Sequence, residues 1–379
     1  MMKPCLNNPL QPPSTEVDST SLAKYRGQWG GKIESGEEMW WTEPDPRLMA
    51  GSRWARLRFT SDVRQHFLLR FLRQALINFT DANLHSNESS NAKLNAKLNE
   101  KLNSNLNDHL NKTKTPIIAD FGCGTGGTTL NFSTYLSMPI QGYDIFETQL
   151  KIGRHFATQL QNPSRFSALD PAGNFLLPEN SIDIIYSADV LGHVPNIPQT
   201  LSEWNRVLKP GGQVVLFTEA AYSPGDLSLG AKLARDGYDM CTSVDEHISL
   251  FPRETLETFF TEAGFEISER YSANVGHFFF FPKDYVSLLK NAAQRHSLRR
   301  LARAWNRVSK ILPFYPWPFQ LLRLAATYIW GGEAYGSGYF YLLKARIKAR
   351  PNVQENIQEN IQENIQENAQ KKAPEPCAF

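Results

Sequence analysis

The stretch IADFGCGTGGTT, residues 118–129, decides the fold: a short apolar run enters a loop that holds four glycines. Glycines let a chain turn tightly and let a ligand approach the backbone, and a following helix offers free N–H groups at its start. Strand, glycine-rich loop and helix in this order predict a ligand-binding α/β unit. The loop alone is ambiguous, because Gly122, Gly124 and Gly127 also fit the dinucleotide pattern G-x-G-x-x-G.

Strand-like and helix-like runs alternate after this loop. Such alternation indicates an α/β fold in which a mostly parallel sheet carries helices on both faces. In open sheets of this type, ligands bind beyond the carboxyl ends of the strands, so we expect the site there. Strands are predicted at 116–121, 138–144, 165–169, 182–187, 213–219, 265–271 and 339–345, and helices at 147–160, 198–208 and 252–263.

Three carboxylates follow successive predicted strands and narrow the class of ligand. Asp120 stands two residues before the first glycine, where it would repel a pyrophosphate but suits an ammonium or sulfonium group. Asp144 ends the next strand, twenty-two residues past Gly122, a spacing at which a carboxylate can accept both ribose hydroxyls. Asp170 follows the third strand and can accept from an adenine amino group. Together they favour an adenosine-type ligand that carries positive charge.

Four segments resemble the class I S-adenosylmethionine-dependent methyltransferases: IADFGCGTGG (118–127), QGYDIFETQL (141–150), LPENSIDIIYSADVLGHV (177–194) and LSEWNRVLKPGGQVVLFTEA (201–220). The last is the most telling, because a helix that ends in Lys-Pro-Gly-Gly (209–212) before a β-rich strand is habitual in that family. The resemblance, which runs more loosely to Tyr271, implies a Rossmann-like sheet of seven strands and S-adenosyl-L-methionine as the cofactor.

The resemblance also implies a set of cofactor-binding residues. Pro171 departs from the family pattern after Asp170, because proline has no N–H to donate to the adenine. The residues implied are Asp120 (amino group), Gly122, Gly124 and Gly126 (methionine and ribose), Asp144 (ribose hydroxyls), Ile145 (adenine face), Asp170 (adenine edge), and Ser187 and Ala188 (floor beneath the sulfonium).

Two histidines are the candidate catalytic residues. Methyl transfer from a sulfonium needs a general base only if the acceptor is a hydroxyl that must lose its proton. His193 follows the fourth strand at the mouth of the expected site, although a histidine at a helix start can also serve the backbone alone. His247, on the loop after the fifth strand, is a candidate second base or substrate contact. Gly192 stands where the family commonly has Glu, and no second cluster at ligand spacing supports a metal site.

Composition places the chain among soluble globular proteins. Of its 379 residues 41% are hydrophobic and 21% charged, which excludes a collagen, a wholly disordered chain or a polytopic membrane protein. Forty basic and thirty-eight acidic residues give no global attraction to nucleic acid. The four scattered cysteines and the lack of an apolar N-terminal run predict a cytoplasmic protein without disulfides, zinc or a secretory signal.

Changes in composition predict seven segments along the chain. The N-terminal addition contains four tryptophans that either cap a core or line a pocket. The segments are a disordered N-terminus (1–20), a helical addition (21–90), a low-complexity repeat linker (91–112), the cofactor-binding core (113–282), a basic and aromatic helical insert (283–336), the last core strand (337–350) and a low-complexity tail (351–379).

The insert is basic and amphipathic. Residues 283–323 hold nine Lys or Arg and one acidic residue, and 298–312 have an apolar face opposite most of their arginines. The following run, 311–324, is too short and too interrupted by proline to span a membrane. The pattern favours a helical lid on the acceptor cleft, with peripheral contact at the inner membrane surface through 298–324 as the alternative, and it makes nucleic acid an unfavoured partner.

The sequence thus predicts an S-adenosylmethionine-dependent methyltransferase. We expect a small-molecule or lipid-linked acceptor that is methylated on oxygen. One alternative is a non-catalytic, membrane-associated binding module with the same fold. Another is an NAD(P)-dependent oxidoreductase, which Asp120 and the turn at 209–212 disfavour.

Overall fold

A computed structural model describes residues 29–32, 38–87, 115–238, 247–290, 296–311, 317–333 and 336–346. The predicted disordered N-terminus, the repeats at 91–112 and the tail after 351 lie outside these ranges, so those predictions stay untested.

A mixed seven-stranded sheet forms the centre of the described chain, and it confirms the predicted fold class. Its spatial order is β5-β4-β3-β6-β7-β9-β8, with β3 to β7 parallel and β9 antiparallel to both neighbours. Two further strands, β1 and β2, pair antiparallel by themselves. The strands are β1 (Trp29–Lys32), β2 (Glu38–Trp40), β3 (Ile118–Phe121), β4 (Gln141–Asp144), β5 (Arg165–Ala168), β6 (Ile182–Ala188), β7 (Leu208–Glu219), β8 (Phe265–Ser272) and β9 (Gly338–Ala345).

Helices connect and cover these strands, and short 3-10 turns span Leu191–His193 and Gly331–Glu333. They are α1 (Pro46–Met49), α2 (Arg53–Ser61), α3 (Val63–Asn87), α4 (Gly127–Leu136), α5 (Glu147–Gln159), α6 (Ile197–Val207), α7 (Leu229–Arg235), α8 (Arg253–Glu262), α9 (His277–Phe280), α10 (Pro282–Leu288), α11 (His296–Ile311) and α12 (Trp317–Trp330).

The Lys-Pro-Gly-Gly segment belongs to a strand and not to a loop, since β7 already begins at Leu208. Lys209 donates from Nζ to both carboxylate oxygens of Asp183 on β6, each at 2.7 Å. Gly211 has a φ of +78°, a conformation that favours glycine. The motif that carried most of the family resemblance therefore joins the two central strands and lies away from the ligand-binding edge.

Two hydrophobic cores enclose the sheet, one on each face. One core packs Trp204 of α6 and Phe260 of α8 against the sheet. The other packs Phe67 of α3 and Phe132 of α4 against the opposite face. Helix α3, which lies outside the family resemblance, is therefore one of the layer helices of the fold.

The N-terminal addition is not purely helical, which corrects the prediction for 21–90. Short strands β1 and β2 precede its helices and escape a periodicity search, because β1 has four residues and β2 three. Its described tryptophan side chains lie in different environments: Trp41 is buried, Trp40 lines a cavity described below, and Trp54 is exposed.

Candidate functional site

The glycine-rich loop between β3 and α4 bends back on the end of β4. Gly122 and Gly124 have φ values of +75° and +55°, which residues with a Cβ rarely adopt. A Cβ on Gly122 would lie 2.3 Å from Cγ2 of Val190, and one on Gly124 would lie 2.8 Å from the carbonyl oxygen of Trp40. Both positions therefore require glycine, for backbone geometry and for space.

The segment after β2 lies on this loop and on the start of α4. Thr42 donates its N–H to Oγ1 of Thr125 at 2.7 Å, and Oγ1 of Thr125 donates in turn to the Thr42 carbonyl at 2.8 Å. The N–H of Gly127, in the first turn of α4, donates to Oγ1 of Thr42 at 2.9 Å. The N-terminal addition thus supplies part of the cap of the helix that follows the glycine-rich loop.

A cavity of about 480 Å³ opens beside the loop, within the size range of small-molecule sites. Its walls come from the carboxyl ends of β3, β4 and β6, from the 3-10 turn after β6, and from the N-terminal addition. The site therefore lies at the edge of the sheet where the sequence predicted it.

Asp120 lines this cavity at the end of β3 and is almost fully buried. Its Oδ2 accepts a hydrogen bond from Oγ1 of Thr129 at 2.6 Å. Burial, and secondarily the nearby Asp144 carboxylate, raise the pKa of Asp120 to about 7, although the Thr129 bond acts against the rise. The carboxyl group is thus poised to ionise near neutral pH when a positive charge approaches.

Asp144 lines the same cavity at the end of β4. Its Oδ2 accepts from the N–H of Gly124 at 2.9 Å and its Oδ1 from the N–H of Phe146 at 3.0 Å. Burial raises the pKa of Asp144, and these backbone hydrogen bonds oppose the rise. Each oxygen keeps a second lone pair for a ligand hydroxyl. Ile145 follows with an exposed apolar side chain on the cavity wall.

His193 lines the cavity, whereas His247 lies behind it. The two rings are 4.5 Å apart, and the His193 ring is 4.7 Å from that of Trp40. The His247 side chain is only 2% exposed, with Nε2 at 3.7 Å from Oε2 of Glu219. His247 is therefore placed to position His193, and its role as a second base or substrate contact stays a prediction.

Gly192 departs from the family pattern because His247 occupies the space beside it. A Cβ on Gly192 would lie 2.4 Å from Cδ2 of the His247 ring. The Gly192 carbonyl also accepts the N–H groups of Ile248 and Ser249, at 2.9 and 3.0 Å. A glutamate here would displace the loop that carries His247.

Three predicted cofactor residues do not reach the cavity. Asp170 accepts from the N–H groups of Ala172 and Asn174 and so caps its own turn at the surface, where these bonds lower its pKa. Oγ of Ser187 donates to the carbonyl of Phe121 at 3.0 Å inside the core, because alternate residues of β6 face opposite sides of the sheet. Gly126 is the N-cap of α4 and faces Phe166. The predicted Ala188 does line the cavity, as does Leu169, which was not predicted.

Sequence reasoning missed several polar residues of the cavity, among them Arg64, Gln65, Tyr186 and Asp189. Arg64 forms an ion pair with Asp189, which has a φ of +58° just after β6. Within the part of the chain that the structure describes, Oε1 of Gln65, the hydroxyl of Tyr186 and Oδ1 of Asp189 are buried without a hydrogen-bond partner. Arg64 and Gln65 are far from the motifs in sequence, so only the packing of α3 could reveal them.

The described ranges contain no candidate metal site. There, no three His, Cys, Asp or Glu side chains come together in a way that could hold a metal ion. The sequence neighbours Asp245 and Glu246 of His247 lie outside those ranges.

Comparison with known proteins shows that part of the chain is similar to methyltransferases. Residues 91–270 match the model of a methyltransferase domain. The sterol 24-C-methyltransferase of Pneumocystis carinii is 32% identical over 98 residues, 25% of this chain and 26% of that protein. The ubiquinone/menaquinone biosynthesis C-methyltransferase UbiE of Azotobacter vinelandii is 31% identical over 166 residues, 39% of this chain and 65% of that protein.

A solved structure also resembles the chain. It is Haemonchus contortus phosphoethanolamine N-methyltransferase 2 in complex with phosphomonomethylethanolamine and S-adenosylhomocysteine, with a TM-score of 0.40 and 18% identity over 62% of this chain and 50% of that one. The chain spans about a quarter of the length of the sterol relative and just under two thirds of that of UbiE.

Residues 91–270 are thus similar to a methyltransferase domain, in agreement with the resemblance of the motifs to the class I S-adenosylmethionine-dependent methyltransferases. S-adenosyl-L-methionine is the cofactor of that class, and the residues around the cavity fit it. Two buried carboxylates suit an ammonium group at Asp120 and ribose hydroxyls at Asp144, and Ile145 offers an apolar surface to the adenine.

Proposed function

We propose that the protein transfers the methyl group of S-adenosyl-L-methionine to an oxygen atom of a small-molecule acceptor. The observation that carries the proposal is one cavity of about 480 Å³ that brings Asp120, Asp144 and His193 together. The matched relatives, named as a sterol 24-C-methyltransferase and a ubiquinone/menaquinone biosynthesis C-methyltransferase, support a small-molecule acceptor.

The cofactor half of the cavity lies between β3 and β4. Bound there, S-adenosyl-L-methionine supplies a methyl group that its sulfonium already activates. Asp120 holds the ammonium group, and Asp144 accepts from the ribose hydroxyls while its backbone bonds to Gly124 and Phe146 fix its orientation. Ala188, at the end of β6, forms the wall beneath the reacting centre. Most of the catalysis then comes from alignment of donor and acceptor.

The acceptor half lies against β6 and α3. Oε1 of Gln65 and Oδ1 of Asp189 are hydrogen-bond acceptors, and the hydroxyl of Tyr186 can donate or accept. A buried polar atom without a partner costs about 1–3 kcal/mol, which a ligand that donates hydrogen bonds would recover. These atoms favour an acceptor with hydroxyl groups over a purely apolar one.

His193 is the proposed general base. It is the histidine on the cavity wall, and a hydroxyl acceptor must lose its proton as the methyl group arrives. The His247 ring, 4.5 Å away, keeps the His193 ring in place, and Glu219 lies 3.7 Å behind His247. Replacement of His193 by Gln is expected to lower kcat by about 10²–10⁴-fold and to leave cofactor affinity unchanged.

Calorimetric titration with S-adenosylhomocysteine tests the cofactor site. We expect micromolar binding that Asp144→Ala abolishes. Asp170→Ala is the matched control, because Asp170 was implied by the family pattern but caps a surface turn. No binding by folded wild-type protein would overturn the proposal. Binding without turnover on any acceptor of an oxygen, nitrogen or carbon panel would support the non-catalytic binding module instead.

We further propose a lipid-linked acceptor and peripheral contact of a cytoplasmic protein with the inner membrane surface through residues 298–324. Helix α11 carries no acidic residue, and beside its arginines the apolar side chains of Leu301 and Val308 are exposed. The face of α12 that meets solvent is apolar as well, with Leu322 and Ile329 exposed. A basic helix with exposed apolar residues suits the interface of an anionic membrane. Among the described helices, none is long and apolar enough to cross a bilayer.

The predicted lid is not supported by the described part of the insert. Helix α11 packs its buried face, with Ala302, against the hydrophobic cluster that contains Tyr285 of α10. The 480 Å³ cavity takes its walls from other elements. Of the two interpretations of the insert, this arrangement favours the membrane contact.

Sedimentation with lipid vesicles tests this contact. We expect binding to vesicles that contain phosphatidylserine, weaker binding at high salt and little binding to phosphatidylcholine vesicles, since each basic residue near an anionic surface contributes about 1 kcal/mol. The double variant Arg300→Glu with Arg307→Glu should lose the binding. Arg58→Glu with Arg165→Glu, on exposed surface elsewhere, should keep it. Equal sedimentation of both double variants would contradict the proposal.

A further inference from the structure

A second cavity, of about 360 Å³, lies at the same edge of the sheet as the cofactor cavity. It is bounded by Tyr222 after β7, Asn274 after β8 and Gly336 before β9, whereas the cofactor cavity lies beyond β3, β4 and β6. The two cavities share no lining residue among those described. The second cavity is therefore a separate space that the proposed methyl transfer does not use.

The lining of this second cavity is mostly apolar and carries no charged side chain among the described residues. Val275, Phe278 and Tyr285 contribute to its walls, and no Asp, Glu, Lys or Arg among the described residues lines it. His277 is the titratable imidazole of the wall, and burial, with the nearby Arg323 charge, lowers its pKa to about 4. The imidazole is therefore neutral at physiological pH. A ligand in this space must be apolar where it is enclosed.

The mouth of the cavity opens on the apolar surface of the insert. Phe279 and Trp330 line it, and they are 61% and 59% exposed. Trp305 of α11 donates from Nε1 to the Phe279 carbonyl at 2.9 Å, which fixes α11 beside the mouth. Ile329, next to Trp330 on α12, extends the exposed apolar surface away from the cavity. Exposed aromatic and aliphatic side chains thus lie both at the mouth of the cavity and on the surface beside it.

The positive charges of α11, beside the exposed apolar surface, indicate what kind of partner could supply an apolar chain to the cavity. Arg300, Arg303 and Arg307 lie on α11, whose sequence has no acidic residue to balance them. A symmetric contact with a second copy would bring like charges together, which disfavours a dimer through this face. An anionic bilayer complements the arginines and also contains single apolar chains.

We propose that the second cavity binds one acyl or prenyl chain of an amphiphile drawn from an anionic membrane surface, a source that rests on the proposed membrane contact. The chain lies among the aromatic side chains, and its polar head remains at the mouth beside the arginines of α11. The volume equals roughly twelve times the ~30 Å³ that one water occupies in the liquid, which is room for a chain of about ten carbons. Within the described ranges Nδ1 of His277 has no hydrogen-bond partner, so it is available to a hydroxyl or carbonyl near the head.

Titration with cis-parinaric acid, a fluorescent fatty acid whose emission rises in apolar surroundings, tests the proposal without vesicles or acceptor. Its chain is longer than the cavity, so we expect its methyl-terminal part to enter and the part next to the carboxylate to remain at the mouth. We expect saturable binding, accompanied by energy transfer from Trp330. Val275→Trp fills the cavity and should weaken the binding at least about tenfold, as expected when an overpacked site costs 1–3 kcal/mol. Leu176→Trp is the matched control, because Leu176 is exposed outside the lining of both cavities and outside the insert, and it should bind as wild type does.

The outcomes separate this inference from the proposed methyl transfer. Absence of binding by wild type, or equal binding by folded Val275→Trp, would overturn the inference. If Val275→Trp does not fold, Leu229→Trp on the opposite wall replaces it as the filled cavity. S-adenosylhomocysteine affinity should be the same in wild type and in every folded variant of the second cavity. If wild type does not bind S-adenosylhomocysteine at all, that result counts against the methyltransferase proposal alone.

Discussion

Asp120 is a carboxyl group that the fold keeps away from water and near a second carboxyl group. With a pKa of about 7 it holds its proton in the folded, ligand-free protein at mildly acidic pH, and it must release that proton to face an ammonium group. We therefore expect S-adenosylhomocysteine affinity to rise by up to roughly tenfold between about pH 6 and about pH 7.5. Calorimetry in buffers of different ionisation enthalpy would measure the affinity and the proton release together.

Asp120→Asn is the control for this pH dependence, since the amide cannot titrate. The same carboxyl group also affects stability. Because its folded pKa lies above its unfolded value of about 4, it favours the folded protein at low pH, and that contribution is lost as the pH rises from about 4 to about 7. A pH slope of ligand affinity that survives in Asp120→Asn would assign the titration to another group.

Alanine substitutions at Gly122 and Gly211 distinguish the cost of a steric clash from the cost of a positive φ. Both have a positive φ, of +75° and +78°, but a Cβ would meet Val190 only at Gly122 and meets nothing within 4 Å at Gly211. We expect Gly211→Ala to lower the free energy of unfolding by about 1–2 kcal/mol, and Gly122→Ala by about 2–4 kcal/mol.

Urea unfolding measures these two changes, and calorimetry adds the ligand. Gly122→Ala should also weaken S-adenosylhomocysteine binding, because the loop beside Asp144 must shift. Gly211 is remote from the cavity lining, so Gly211→Ala should bind normally. Equal losses of stability and affinity in the two variants would mean that the contact with Val190 is unimportant.

The glycine-rich loop depends on a segment that the family motifs do not include. Oγ1 of Thr42 accepts the N–H of Gly127 at the start of α4. Thr42→Val keeps the shape of the side chain and removes this acceptor, so we expect a loss of about 1 kcal/mol of stability, as for other helix caps, and weaker cofactor binding. Differential scanning calorimetry and ligand titration measure the two effects.

Thr60→Val is the comparison variant. Oγ1 of Thr60 donates to the carbonyl of Arg56 within α2, away from the loop. It should change stability by no more than about 0.5 kcal/mol and leave ligand affinity unchanged. If Thr42→Val behaves like Thr60→Val, the N-terminal addition does not support the loop.

Strands and helices of the core could be predicted from the sequence because their own patterns determine them. All seven core strands and the three core helices appear within a few residues of the predicted bounds, apart from the earlier start of β7 at Leu208. Asp120, Asp144 and His193 could be placed as well, since each lies at or shortly after the carboxyl end of a strand and parallel strands end at one edge. Their position depends on connectivity, which the chain order supplies.

The rest of the site depends on packing between distant segments. Asp170 and Ser187 also follow or end strands, but a local turn and the alternation of β6 direct their side chains elsewhere. Gln65 and Trp40 reach the cavity only because α3 and β2 fold against the sheet. No periodicity in the sequence reports such a contact.

Helix α3 contacts both the central sheet and helix α12 of the insert. Phe67 on α3 stacks on Phe340 of β9 at 5.2 Å and lies 5.1 Å from the ring of Tyr328 on α12. Phe67→Ala should therefore lower the free energy of unfolding by about 3–5 kcal/mol. Tryptophan fluorescence and circular dichroism should still give one coincident transition, shifted to lower urea.

The exposed Phe279 provides the control for this substitution. Phe279→Ala should change the free energy of unfolding by less than about 1 kcal/mol, since its side chain is largely in water already. A separate early transition in Phe67→Ala, seen by one probe and not by the other, would show that the insert unfolds independently of the sheet.

The contact between the N-terminal addition and the core also determines when, during synthesis, part of the N-terminal addition can become buried. Met39 and Trp41 end in a buried cluster with Ile152, which the ribosome makes about 110 residues later. At roughly 5–20 residues per second, these apolar side chains wait about 5–20 s for the partner that covers them. The contacts that the N-terminal addition makes with the core can therefore form only after residue 152 has been synthesised. During this interval a chaperone could bind the exposed apolar side chains of the N-terminal addition.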